Sequence, residues 1–82
     1  MIFLVNNLIS LSKLEIGQNL IIKSIDCPKN IKHKLYDLGF TKGVTVTLVS
    51  RSPLGDPLNV LIRGFNLAIE KEIASLIKGE IL

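Results

Sequence analysis

Valine and leucine alternate with threonine through Val44-Thr45-Val46-Thr47-Leu48, which places Val44, Val46 and Leu48 on one face. Leu58, Val60 and Ile62 repeat the pattern against Asn59, Leu61 and Arg63. Between Gln18 and Ile25, Leu20 and Ile22 share one face while Ile21, Lys23 and Ile25 share the other. Period-2 runs rich in β-branched residues fit a half-buried strand, so these three segments are expected to be strands. Asn66 to Ile69 reads as a short fourth strand and Glu70 to Ser75 as a helical turn. Leu76 to Leu82 reads as a closing strand with a weak point at Gly79.

One segment carries the other periodicity. Ile31, Leu35 and Leu38 recur at i, i+4, i+7, predicting a helix over residues 29–38 with that stripe in the core. Pro28 is tolerated at the entry, and Gly39 follows where a helix commonly ends in a left-handed residue. Phe40 is then placed to pack back on the last turn. Arg51-Ser52-Pro53-Leu54-Gly55-Asp56-Pro57 joins two strands, and its prolines and glycine exclude regular structure. The order β-α-β-β-β-turn-β has connections too short for parallel crossovers, so the expected fold is all-β. Short antiparallel strands of this kind curl into a small barrel, here with one main inserted helix and a short C-terminal helical turn.

Eighty-two residues make one domain, expected to span 1–82. So small a chain needs a dense core, and 48% hydrophobic residues supply one. No run approaches the ~18–20 apolar residues of a membrane helix, and Ile2-Phe3-Leu4-Val5 is too short for a secretory signal, which sets the expectation of a cytoplasmic protein without membrane insertion. Cys27, the only cysteine, suits a reducing compartment.

Candidate chemistry is sparse. Cys27 and His33 are the only nucleophile–base pair and match no cysteine-enzyme spacing. A structural zinc site takes four N or S ligands, and Asp26, Cys27 and His33 fall short, so neither a metal nor a cofactor is expected. No glycine lies in a phosphate-loop pattern. Base stacking needs exposed aromatics, and Phe3, Phe40 and Phe65 are expected in the core. The net charge of +3 is scattered from Lys13 to Lys78; Lys29, Lys32, Lys34 and Lys42 come nearest to a basic patch, either a solvated face or a surface for an acidic partner. No enzymatic activity is expected, and no nucleic-acid binding.

Lys34-Leu35-Tyr36-Asp37-Leu38-Gly39-Phe40, then Gly43, then Pro53-Leu54-Gly55-Asp56-Pro57, with Gly64 and Leu67-Ala68-Ile69 beyond, resembles the FeoA family of ferrous iron transport proteins. Leu14 and Gly17 also match, so the resemblance covers about residues 10–78. Glu70 departs from it, standing where the family often has arginine. The resemblance implies an SH3-like barrel and an accessory or regulatory role in Fe2+ uptake. The implied partner is FeoB, a membrane transporter with a cytosolic GTPase domain. Partner contacts are then expected at Leu54, Gly55, Asp56 and Pro57 with Arg51 and Lys42. Leu54 admits two readings, an anchor for a partner or a plug folded over the barrel rim. Arg51 is the one candidate for an arginine inserted into a GTPase site. The alternative is a repressor-associated or nucleic-acid-binding barrel, because the same barrel resembles the C-terminal domain of iron-dependent repressors.

Overall fold

The computed structural model describes residues 8–82. Six strands form a single antiparallel sheet: β1 (Ile9–Ser10), β2 (Asn19–Ile25), β3 (Thr45–Arg51), β4 (Leu58–Ile62), β5 (Phe65–Ile69) and β6 (Ile77–Ile81). They lie in the order β1-β6-β2-β3-β4-β5. Helix α1 (Lys29–Asp37) connects β2 to β3, and the short α2 (Lys71–Ala74) connects β5 to β6. The mostly β architecture with one main helix and a C-terminal helical turn is as expected. Strand β1 and the 3-10 turn Leu11–Lys13 carry too few residues to show a period, and the sequence did not announce them. Phe3, expected in the core, lies outside the described residues.

The core gathers the inward faces of the sheet. Val46 and Leu48 of β3 oppose Ile62 and Val60 of β4, and all four are buried. Leu20 and Ile22 of β2, Ile77 of β6, Leu11 and Leu14 in and just after the 3-10 turn, and Leu35 of α1 belong to the same cluster, with Ile25, Phe40, Leu58, Ile69 and Ala74. Each buried aliphatic side chain contributes about 1.5–3 kcal/mol relative to exposure.

Helix α1 ends in a Schellman motif. Gly39 takes φ +100°, its N–H donates to Tyr36 O at 3.0 Å, and the Phe40 N–H donates to Leu35 O at 2.9 Å. Phe40 and Leu35 are both buried, the apolar contact that accompanies this cap. The reversal corrects the expected stripe. Leu35 is core and Ile31 only half-buried, while Leu38, the cap residue where the chain turns away, is 49% exposed. Phe65 is also corrected, from core to 66% exposed. Arg63 (φ +51°) and Gly64 (φ +84°) form a two-residue turn between paired Ile62 and Phe65. Phe65 thus stands at the end of the sheet, where it lines a shallow groove with Leu38 and Leu67.

Two β-bulges reset which side chains face inward. In β2 against β6 the register shifts between Ile22 and Ser24, so Lys23 is the extra residue and Ile25 turns inward opposite Ile77. Ile25 is therefore buried, not on the face opposite Leu20 and Ile22 as plain alternation predicts. In β3 against β4 the shift falls between Leu48 and Ser50, so Val49 is extra and exposed. Beyond it Arg51 pairs with buried Leu58 and points to the core side. Its Nη2 donates to Leu14 O at 2.6 Å and to Ser12 O at 2.9 Å. The guanidinium thereby ties β3 to the last turn of the N-terminal 3-10 segment.

Gly79 occupies the middle of β6, opposite Ile22 on one side and Ile9 on the other. A Cβ here would collide with the Ile21 carbonyl oxygen and sit 3.1 Å from Leu20 Cγ. The expected weak point is a position of obligatory close approach.

Two substitutions test this packing. Gly79→Ala forces backbone apart and is expected to cost about 3 kcal/mol, read as a lower denaturant midpoint. Arg51→Ala leaves two carbonyls without their charged donor and is expected to cost about 2–3 kcal/mol. Arg51→Lys should recover only part of that loss, because an ammonium lacks the planar fork. Wild-type stability in Arg51→Ala would show that the tie is not holding the sheet.

Candidate functional site

The connection from Arg51 to Leu58 is short, proline-flanked and internally braced. Gly55 N–H donates to Ser52 O at 2.7 Å and Ser52 N–H to Pro57 O at 3.1 Å. Gly55 takes φ +84°, a conformation that side chains other than glycine adopt only with strain. The Asp56–Pro57 peptide is cis. Asp56 Oδ1 accepts from the Lys71 backbone N–H at 3.0 Å, an exposed amide in the first turn of α2 that lacks a helical partner. The loop is thus fastened to itself and to α2 by backbone groups and one carboxylate.

Leu54 at its tip takes no part in this bracing and is 96% exposed. The plug reading fails, because a side chain folded over the barrel would be shielded and Leu54 stands in solvent. A leucine held in water on a braced loop is an apolar handle of the kind that interfaces bury.

Leu54, Gly55, Asp56 and Pro57 are consecutive in this loop, and Arg51 ends the strand that leads into it. Both protons of Arg51 Nη2 are spent on the Ser12 and Leu14 carbonyls, so this guanidinium is committed to the N-terminal 3-10 segment. Lys42 lies elsewhere. It sits in the turn before β3, and the seven residues of that strand, at about 3.3 Å each, separate it from the loop.

Cys27 is half-buried against the core, and desolvation pushes its thiol above the ordinary value, with Asp26 adding to the shift and Lys32 opposing it. A thiol held neutral in this way is a poor nucleophile and a poor metal ligand. His33 is exposed. Among the described residues no three His, Cys, Asp or Glu side chains gather around a common point. No described helix is long and apolar enough to cross a membrane. Sequence reasoning missed the apolar groove formed by Leu38, Phe65 and Leu67, because the chemistry of Leu38 and Phe65 is that of core residues. It also missed the Asp56–Lys71 hydrogen bond, which joins residues fifteen apart and has no local signature.

Comparison with known proteins gives this geometry a family. Residues 9–81 match the FeoA domain. The chain is 29% identical over 72 residues to an Fe(2+) transport protein A/Fe(2+) transporter FeoB fusion protein of Porphyromonas gingivalis, covering 88% of this chain but only 8% of that protein. The FeoA-like protein of Clostridium acetobutylicum superposes with a TM-score of 0.85 at 27% identity, covering 95% of this chain and 91% of the other. Stenotrophomonas maltophilia FeoA, described as a prokaryotic SH3 domain protein and crystallised with zinc, gives 0.75 at 28% identity, covering 88% and 89%. A manganese-dependent transcriptional repressor shares the fold alone, with a TM-score of 0.83 at 13% identity over 95% of this chain and 44% of that one. The braced loop, the Schellman-capped helix and the six-stranded SH3-like sheet are thus those of a chain that belongs to the FeoA family of ferrous iron transport.

Proposed function

We propose that this chain is an accessory protein of ferrous iron uptake that docks through its 52–57 loop on the cytosolic GTPase domain of an FeoB-type transporter. The observation that carries this reading is Leu54, which is fully exposed at the tip of a loop whose shape does not depend on it. The fusion of the two proteins in the Porphyromonas gingivalis relative supports the choice of partner, since fused domains work at high effective concentration. Arg51 acts in this scheme as the tie to the N-terminal 3-10 segment and not as an arginine inserted into the GTPase site. Gly55 and Asp56 hold the loop's curvature and Pro57 its exit. The protein works in the cytoplasm as a binding module, without catalysis of its own.

Leu54→Ala tests the scheme. The melting temperature should be unchanged, as for a surface substitution within about 0.5 kcal/mol. Binding to the isolated GTPase domain, read by titration calorimetry, should weaken by about 1–2 kcal/mol, roughly five- to thirtyfold. Unaltered affinity in a folded Leu54→Ala protein would remove the loop from the interface.

A further inference from the structure

A second concavity lies at the other end of β3, between the end of β2, helix α1 and the turn that carries Lys42. Ser24, Ile25, Asp26, Lys32, Tyr36 and Lys42 line it, around a volume of about 190 Å3. Lys32 and Tyr36 stand one helical turn apart on the same face of α1. Lys42 is held over the cleft by its neighbour Gly43, whose N–H donates to Ile22 O at 2.8 Å.

Its polar groups have an unequal inventory. The one acid, Asp26, is already engaged: Oδ1 accepts from Ser24 Oγ at 2.9 Å, and Oδ2 lies 3.7 Å from Lys78 Nζ. Among the described residues neither Lys32 nor Lys42 pairs with a carboxylate. No described side-chain hydrogen bond uses the Tyr36 hydroxyl. Two ammonium groups and a phenolic O–H remain to receive a ligand. Two like charges beside one small cleft repel each other, and an anion between them converts repulsion into two attractions. The volume is below the ~300–1,000 Å3 of a site for a whole drug-sized molecule, so a single oxyanion group is what fits.

We propose that this cleft binds an oxyanion, a carboxylate or a phosphate group, through Lys32, Lys42 and Tyr36. The ligand group is either a carboxylate side chain of a partner protein or a phosphate, free or carried by a nucleotide. The site stands apart from the 52–57 loop and holds whether or not that loop meets a transporter.

Backbone-amide NMR spectra of the full chain, titrated separately with inorganic phosphate and with acetate at constant ionic strength in chloride, test it. Saturable shifts are expected at Ser24, Lys32, Tyr36 and Lys42. Lys42→Met and Lys32→Met should each weaken the binding about tenfold while leaving the remaining spectrum in place. Acetate binding as well as phosphate identifies a partner carboxylate as sufficient; a clear preference for phosphate identifies phosphate as the ligand. Absence of saturable shifts with both anions, or shifts that survive both substitutions, overturns the proposal.

Discussion

At Gly79 the backbones of β6 and β2 approach so closely that no side chain fits between them. The rest of the sheet is arranged around that contact. Strand β6 must lie between β1 and β2, joining the C-terminal end of the described chain to its beginning, and every ladder outward to β5 builds on the β2 edge so placed. The contact also falls at the point where β2 bulges at Lys23, so the extra residue is accommodated opposite the one strand position with no side chain. The ion pairs beside it, Lys23–Glu80 and Lys78–Asp26, are both 3.7 Å and largely solvated. Exposed pairs of this kind contribute about 0–1 kcal/mol, so steric fit and backbone pairing carry the closure.

Much of this fold is legible in the sequence. Val46, Leu48, Val60 and Ile62 lie where simple alternation puts them, because they pair with one another in unbroken register, and Leu58 follows because the extra residue lies in β3 and leaves the alternation of β4 intact. Helix α1 is legible from Leu35 and from Gly39, whose left-handed φ the terminating motif demands. The misassigned residues all lie where pairing or chain reversal overrides local pattern. Ile25 comes after a bulge, and a bulge belongs to two strands at once, so one strand's sequence does not display it. Leu38 continues the helical period by one residue past the helix, and the reversal at Gly39 turns it outward. Phe65 has a core residue's chemistry at a position where the sheet has run out of neighbours.

The site is legible in part for the same reasons. An apolar Leu54 inside Pro-Leu-Gly-Asp-Pro stands out because the turn has no need of it. Whether it covers the barrel or faces water is decided by tertiary placement, and the structure leaves it in water. Arg51 can be picked out as a charge beside the loop but not as the tie to the Ser12 and Leu14 carbonyls, since only the extra residue at Val49 directs it inward. Lys42 groups with the loop by charge, and the length of β3 separates them. The sequence supplies the groups; tertiary structure decides which of them still have valences to spend.

The two bulges separate length from chemistry along the chain. Lys23 and Val49 are surplus residues whose side chains project to solvent, so their identity is nearly free. Their presence is nearly free as well, because the partner strand pairs past them. With the residue at 49 deleted, Leu48, Ser50 and Arg51 would keep their partners Val60, Asn59 and Leu58, and with them their faces. With the residue at 23 deleted, Ile22, Ser24 and Ile25 would likewise keep Gly79, Lys78 and Ile77. Divergence in this fold is therefore open at these two points to the loss of a residue as well as to its substitution, so the chain can shorten there while the core faces stay in place.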